Sequence, residues 1–274
     1  MRPLAYRQQR ILERLEEESF ASVAGLAAEL ECSQMTIRRD LARLQSQGLV
    51  ERSRGGAVPS RRIRLEFALA ERAQARRREK AAIARAAAAL VRPGDRVLID
   101  TGTTTLALAR ELRSREDVSV VTTSLAVVSA LLPSPGIECM LLGGIVRESS
   151  PDLYGPLLED NLSRIHADRA FIGCDGISVR AGLTTADARV ARATALMVAN
   201  ASCVALLCDS SKAANDSFMT FAQIDDIDVL VTDDGMPVDI LEAARAAGVE
   251  TIVVAAADDK WATARTHRSD PKGD

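Results

Sequence analysis

The chain has 274 residues, 27 % of them charged, and a formal net charge of −3 at pH 7. It contains no apolar run of about 18 residues and no secretory h-region, which argues against a membrane or secreted protein and predicts a soluble, cytoplasmic one. The five cysteines form no C-x-x-C pair and the two histidines have no evident partners, so we expect no disulfide framework, no metal site, no cofactor and no imidazole-based catalysis.

The N-terminal residues 1–58 are predicted to form a winged helix-turn-helix. An amphipathic first helix is followed by two short helices, and Ser22 and Ser33 are each suited to cap one of them, because a serine oxygen accepts the free N–H groups of the first turn. Gly48 fits the C′ position of the second short helix. An arginine-flanked hairpin with a Gly-Gly turn follows and predicts the wing.

The second short helix has one apolar and one cationic face. Ile37, Leu41 and Leu44 recur with helical spacing and must face the core. The other face suits the major groove, where arginine pairs with guanine and other donors reach phosphates. A merely solvated charged face is the alternative, but it does not explain the ordered caps and wing. The predicted DNA-binding residues are Ser33, Met35, Thr36, Arg38, Arg39, Arg43, Arg52 and Arg54.

Charge is distributed unevenly along the chain. Residues 1–80 hold 17 Lys and Arg against 11 Asp and Glu, whereas residues 81–274 hold 18 against 27. Phosphate contacts are therefore expected at the basic end, while the acidic remainder does not favour DNA.

A connection between two domains is predicted after the wing. Residues 59–66 are arginine-rich and lack a clear hydrophobic period, which predicts a hinge. One helix is then expected to run to Pro93. Its basic cluster of residues 76–80 could contact DNA, but a solvated helix face is the better interpretation. We assign residues 59–80 to a linker with the start of this helix, residues 81–257 to an α/β domain and residues 258–274 to a polar tail.

Short apolar runs alternate with helical segments beyond Gly94. This pattern is typical of a doubly wound, mostly parallel sheet with helices on both faces. The predicted strands are Val97–Asp100, Val118–Thr122, Glu138–Leu142, Ala170–Gly173, Cys203–Cys208, Val229–Thr232 and Thr251–Ala255. The predicted helices are Thr105–Leu112, Leu125–Leu132, Leu153–Ile165, Asp187–Ala199 and Val238–Ala247.

Such sheets bind ligands at the carboxyl ends of their strands. Residues 100–105, DTGTTT, lead from a predicted strand into a helix, so free N–H groups and the helix dipole converge where an anion belongs; a capped helix start without a ligand is the alternative. Lys212 lies in a later strand-end loop of a chain with 31 arginines and 4 lysines. Unless its position is chance, a compact ammonium there suits a phosphate or sugar oxygen.

The chain resembles the DeoR family of bacterial transcriptional regulators over nearly its whole length. The resemblance is carried by the ordered motifs SQMTIRRDLARLQSQGLVERSRGGAV, IDTGTTT, VTTS, LLGGIVR, AFIGCDGI, GLTTAD, LLCDSSK and LVTD. It implies an N-terminal winged helix and a C-terminal sensor and oligomerisation domain resembling ribose-5-phosphate isomerase in fold. It also implies repression of a carbohydrate-use operon through double-stranded operator DNA, a phosphorylated sugar or related metabolite as effector, and a homo-oligomer.

Carried over by position, the resemblance implies an effector site formed by Asp100, Gly102, Thr103, Thr104, Thr105, Thr123, Arg147, Asp175 and Lys212. The family often has Asn at the position of Thr123, and an acidic residue and a lysine at those of Val190 and Thr194. These departures bear on the effector and leave the fold assignment intact.

Two other functions remain open from the sequence. One is a phosphosugar isomerase that uses Asp175 and Lys212 as acid–base groups, but its general-base carboxylate has no clear counterpart. The other is a DNA-bound scaffold that has lost its ligand, which Val190 and Thr194 would allow. We favour a ligand-responsive DNA-binding repressor over an enzyme.

Overall fold

The computed structural model describes residues 6–256, and its internal contacts divide the chain into two units. The first unit extends to Ala75 and includes the short segment Val146–Pro151, and the second begins at Arg76. The division therefore falls inside the predicted linker, residues 59–80. The predicted tail, residues 258–274, lies outside the described residues.

The first unit combines helices with an antiparallel sheet of strand order β1-β3-β2. Its apolar helix faces enclose a core with Ile11, Ile37 and Leu41 at its centre. The elements are α1 (Tyr6–Glu18), β1 (Ala21–Ser22), α2 (Val23–Glu29), α3 (Gln34–Ser46), β2 (Val50–Ser53), β3 (Gly56–Pro59) and α4 (Arg61–Gln74). This order is that of a winged helix-turn-helix, as predicted.

Local signals fix the ends of α2 and α3. The hydroxyls of Ser22 and Ser33 each accept a hydrogen bond from a main-chain N–H of the following turn, at 3.0 and 3.1 Å. Gly48 ends α3 in the left-handed region with φ +69°, and the N–H of Leu49 then donates to the carbonyl of Leu44 at 3.0 Å. This closure is a Schellman motif, which requires a residue that tolerates positive φ.

The connection after the wing differs from the prediction. No irregular hinge over residues 59–66 is present, because α4 already begins at Arg61. The single long helix is also wrong: α5 (Arg77–Ala88) is a separate helix that follows Arg76 in the left-handed conformation, with φ +53° and ψ +38°. Lys80, expected on a solvated face, is buried in α5.

The second unit is built on a parallel sheet of strand order β15-β14-β12-β9-β4-β5-β6. From β4 the chain moves outward to β6 and then returns to β9 on the other side of β4, which makes the sheet doubly wound. The strands of this sheet are β4 (Arg96–Ile99), β5 (Val118–Thr122), β6 (Ile137–Leu141), β9 (Arg169–Ile172), β12 (Val204–Leu207), β14 (Val229–Asp233) and β15 (Glu250–Val254). They correspond to the predicted strands.

The remaining elements of this unit are helices and short strands. The helices after α5 are α6 (Thr103–Glu111), α7 (Leu125–Leu131), α8 (Pro156–Leu162), α9 (Ala188–Ala199) and α10 (Val238–Ala246). The short strands are β8 (Leu153–Tyr154), β10 (Gly176–Ser178), β11 (Gly182–Thr185) and β13 (Met219–Ala222), and β7 (Ile145–Val146) lies where the chain passes from the second unit to the first. Within residues 6–256, none of the helices has the length and apolar character needed to cross a bilayer.

Two details of this unit depart from the sequence prediction. The helix expected from Leu153 begins only at Pro156, because β8 comes first and Gly155 then takes φ +112°. The second departure is a small antiparallel sheet of order β10-β11-β13, whose GLTT segment is not among the predicted strands. The segment is a strand whose residues are all buried.

Candidate functional site

The cationic face of α3 is directed to solvent. Its core side is formed by Ile37, Leu41 and Leu44, which are fully buried. The predicted DNA-binding residues of this helix and its cap lie on the other side, where Ser33, Met35, Arg38, Arg39 and Arg43 are exposed and Thr36 is half-buried. The helix can therefore present its guanidinium groups to base edges without disturbing its own packing.

The wing, formed by β2 and β3, is joined to this helix. The guanidinium of Arg52 donates to the main-chain oxygen of Arg38 at 3.4 Å, and Arg54 is exposed at the tip of the hairpin. Gly56 allows β3 to approach β1, because a Cβ atom at this position would lie 2.2 Å from the main-chain oxygen of Ala21. Wing and helix thus form one surface.

A buried carboxylate sets the position of α3 against α1. Asp40 lies on the core side of α3 and is 7 % exposed. It accepts a hydrogen bond from the Nε2 of Gln8 at 3.4 Å and pairs with the guanidinium of Arg7, both on α1. A buried charge is costly without its partners, so these contacts hold the two helices in register. The sequence patterns did not single out Asp40.

In the second unit, the loops after β4, β9 and β12 lie next to one another at the carboxyl edge of the sheet. They carry three of the predicted effector residues, Asp100, Asp175 and Lys212. The strand order reverses between β4 and β9, and open parallel sheets form a ligand crevice at this point.

Helix α6 begins at this crevice without a side-chain cap. Its N-cap residue is Gly102, at φ +140°, so no side chain accepts the N–H groups of the first turn. Thr103 is half-buried, whereas Thr104 and Thr105 are buried and the hydroxyl of Thr105 donates to the Gly102 carbonyl at 3.2 Å. The hydroxyl hydrogen of Thr105 is therefore engaged within the turn and is not available to an anion. Free N–H groups and the helix dipole suit an anion.

Asp100 lies behind this turn, 3 % exposed. Its Oδ1 accepts from the N–H of Thr101 at 2.7 Å, and its Oδ2 accepts from the N–H of Gly173 at 3.4 Å and from the Thr194 hydroxyl at 3.3 Å. Burial raises the pKa of Asp100 to about 7, although these hydrogen bonds lower it, and the Asp152 carboxylate adds to the rise. The hydroxyl of Thr194, a departure from the family pattern, is thus part of the site's support.

This buried carboxyl gives a testable pH dependence. Between about pH 4 and about pH 7, Asp100 keeps its proton in the folded chain and loses it in the unfolded chain, so its contribution to stability falls as the pH rises. A rise of the pKa from 3.8 to about 7 corresponds to on the order of 4 kcal/mol. We expect urea unfolding of Asp100→Asn to lack this decline. Equal pH slopes in variant and wild type would contradict the assignment.

Asp175 and Lys212 border the crevice on the far side of β4. The Oδ2 of Asp175 accepts from the Thr185 hydroxyl at 2.8 Å and from the N–H of Ala186 at 3.0 Å, which ties the loop after β9 to the end of β11. Lys212 is half-buried and ends a short 3₁₀ turn whose cap is Asp209. The main chain that carries each of these two side chains is therefore held in place by hydrogen bonds.

Two buried carboxylates beside Lys212 were not predicted as site residues. Asp209 caps the turn, and Asp233, the last residue of β14, accepts from the N–H of Ser210 at 2.7 Å. Arg76 interacts electrostatically with both carboxylates. The pKa of Arg76 is raised mainly by the hydrogen bond from its guanidinium to Glu79, and Asp209 and Asp233 raise it further. A ligand bound near Lys212 would therefore lie close to acidic as well as basic side chains.

Two predicted effector residues are placed differently from the rest. Thr123 is buried, and its main-chain oxygen accepts from the N–H of Leu153 at 2.9 Å. Arg147 falls within the segment Val146–Pro151 of the first unit, whereas the other predicted effector residues belong to the second unit.

Comparison with known families covers both units. A family model described as the DeoR-like helix-turn-helix domain matches residues 7–61, and one described as the DeoR C terminal sensor domain matches residues 75–234.

Curated relatives match the chain over most of its length. The HTH-type transcriptional regulator GlpR of Haloferax volcanii is 36 % identical, covering 90 % of this chain and 97 % of its own. The transcriptional repressor AccR of Agrobacterium fabrum is 35 % identical over 84 % and 89 % of the two chains. The HTH-type transcriptional repressor GlcR of Bacillus subtilis is 35 % identical over 81 % and 86 %.

Solved structures show a more distant likeness. Ribose 5-phosphate isomerase A of Methanocaldococcus jannaschii is 21 % identical with a TM-score of 0.38, over 51 % of this chain and 55 % of that one. The translation initiation factor eIF-2B of Pyrococcus horikoshii is 17 % identical with a TM-score of 0.39, over 78 % and 82 % of the two chains.

Proposed function

Because this chain belongs to the DeoR family of transcriptional regulators, we propose that it represses a carbohydrate-use operon under the control of a phosphorylated sugar. Two of the similar proteins are named as transcriptional repressors, which supports repression. The curated relatives that match most of this chain are named as transcriptional regulators or repressors, so the chain is a regulator and not an isomerase. The exposed arginine face of α3 is its proposed contact with operator DNA.

The uncapped start of α6 is the observation that carries the proposed effector. The N–H groups of its first turn have no side-chain cap, and a phosphate bound at the carboxyl end of β4 would accept hydrogen bonds from several of them at once. Lys212 would supply a compact positive charge from the neighbouring loop. Asp100 is too buried to serve as the main ligand contact, and its raised pKa reduces the negative charge that a phosphate would meet.

The polar groups around the crevice suit the sugar part of such a ligand. The half-buried carboxyl of Asp175 has an oxygen, Oδ1, available beside the two hydrogen bonds that its Oδ2 accepts, and carboxylates bind sugar hydroxyls well. Thr103 adds a half-buried hydroxyl at the entrance. We therefore propose that these residues position the carbon chain while α6 holds the phosphate.

A panel of phosphorylated sugars tests this function. A ligand at about 100-fold its Kd stabilises the folded state by about 2.7 kcal/mol, which raises the melting temperature by roughly 5–10 °C for a domain of this size. We expect at least one sugar phosphate to do so, and its dephosphorylated sugar to do much less. A broad panel that gives neither a thermal shift nor calorimetric binding would favour the ligand-free scaffold.

We also propose that the regulator acts as a homo-oligomer. A single winged helix covers little DNA surface for operator-grade affinity. In the second unit, β6 is an edge strand of the parallel sheet and exposes Met140, Leu141 and, shortly after it, Ile145. An apolar sheet edge suits pairing with a second copy. Sedimentation that finds only a monomer bound tightly to its operator would contradict this proposal.

A further inference from the structure

Two cysteines are in contact at the carboxyl edge of the parallel sheet. The Sγ atoms of Cys174 and Cys208 are 3.5 Å apart. The residues follow β9 and β12, which pair in parallel with Ile172 opposite Leu206. Two residues further along the same register, the cysteines face each other. Cys174 is half-buried and Cys208 is buried.

We propose that Cys174 and Cys208 form a reversible disulfide when the protein meets a two-electron oxidant of the peroxide class. The Cys174 thiolate attacks one oxygen of hydrogen peroxide, the O–O bond breaks, and the leaving hydroxide takes up a proton to become water. The sulfur of Cys208 then attacks the resulting sulfenic acid and loses its proton. The S–S bond forms, the S–O bond breaks and a second water leaves.

The order of the two steps follows from the surroundings of each thiol. Cys174 is the more accessible of the two, so a small oxidant reaches it first. The pKa of Cys208 is raised by its hydrogen bond with Cys174 and by burial, which keeps this thiol protonated and unreactive towards solvent. Because its sulfur is in contact with that of Cys174, Cys208 is nevertheless well placed to attack a sulfenic acid formed on Cys174.

Formation of the bond requires little movement. The sulfurs must approach from 3.5 Å to about 2.05 Å, a displacement that side-chain rotation and small backbone shifts can provide. The bond would tie the loop that carries Asp175 to the loop that carries Lys212. The expected effect of the disulfide on effector binding rests on the proposed function. The formation of the disulfide does not depend on that function.

The full-length reduced protein, treated with hydrogen peroxide, freed of the oxidant and then alkylated in denaturant, tests the bond directly. We expect the alkylatable thiols to fall from five to three, and the intact mass before alkylation to drop by two hydrogen atoms. After tryptic digestion, peptide 170–180 should be joined to peptide 193–212. Dithiothreitol should restore all five thiols.

Single variants assign the partners. Cys174→Ser and Cys208→Ser should each abolish the cross-link, whereas Cys203→Ser, which alters the same tryptic peptide as Cys208, should retain it. Five alkylatable thiols in oxidised wild type, or a cross-link that survives Cys208→Ser, would overturn the proposal.

A sugar phosphate that binds the reduced protein should bind the disulfide form with an affinity altered by about 5- to 150-fold, the usual range of coupling between sites. Unchanged affinity would overturn the link to the effector site, while the thiol count would still establish the bond. If no sugar phosphate binds the reduced protein, the proposed function fails separately.

Discussion

Replacement of Arg38, Arg39 and Arg43 by alanine together should abolish specific operator binding. The three side chains are exposed on α3, opposite its buried face. Each base-reading arginine contributes about 1–3 kcal/mol. Loss of all three should therefore reduce affinity to the non-specific level, a fall of roughly 1000-fold or more. Fluorescence anisotropy with a duplex that wild type selects from a random pool measures the effect.

A charge-matched control separates base reading from general electrostatics. Alanine at the exposed Arg92, Arg110 and Arg164 of the second unit removes the same formal charge and should leave specific binding nearly unchanged. Alanine at Arg54 of the wing should weaken binding to all sequences alike and reduce the salt slope by about 1. Specific binding that survives the α3 triple variant would exclude this helix as the reader.

Loss of the response to a sugar phosphate is the expected result for Lys212→Ala and for Gly102→Val. The lysine change removes a charged hydrogen bond of about 1.5–3 kcal/mol, or roughly tenfold to hundredfold in Kd. The glycine change places a branched side chain at φ +140°, with its Cβ 3.3 Å from the Thr105 hydroxyl oxygen, where an anion must approach main-chain N–H groups. Calorimetric titration with the sugar phosphate identified for wild type measures both.

Controls distinguish ligand binding from general damage. Gly248 also has positive φ, at +84°, but a Cβ there meets nothing within 4 Å, so Gly248→Val should lower the melting temperature and leave ligand affinity unchanged. Both site variants should still bind operator DNA, because the proposed reader belongs to the other unit. A wild-type response from Lys212→Ala would move the ligand away from this loop.

The elements that the sequence predicted are those with local signals. The caps at Ser22 and Ser33, the C′ glycine Gly48 and the apolar strand runs are short-range patterns, and the structure contains all of them. The break at Arg76 was missed because a non-glycine residue in the left-handed region leaves no mark in the sequence. The GLTT strand was missed because its glycine and threonines are typical of loops, although tertiary packing buries them.

The missed site features are contacts between residues far apart in the chain. Asp40 meets Arg7 across 33 positions, and Cys174 meets Cys208 across 34. Such pairs depend on helix packing and strand register, which a single sequence does not specify. Asp100 was predicted from its strand-end position, but its raised pKa depends on burial that only the fold produces.

The packing of α1 against α3 defines the smallest segment that could be transferred to another protein as a DNA-binding domain. A graft that transplanted only residues 20–58 onto another scaffold would lose Ile11 and Leu15 from the core, together with the contacts that Asp40 makes with α1. Removing one large buried apolar side chain already costs about 2–5 kcal/mol. The whole stability of a domain of about 60 residues is only roughly 3–9 kcal/mol. A transferable module must therefore begin with α1.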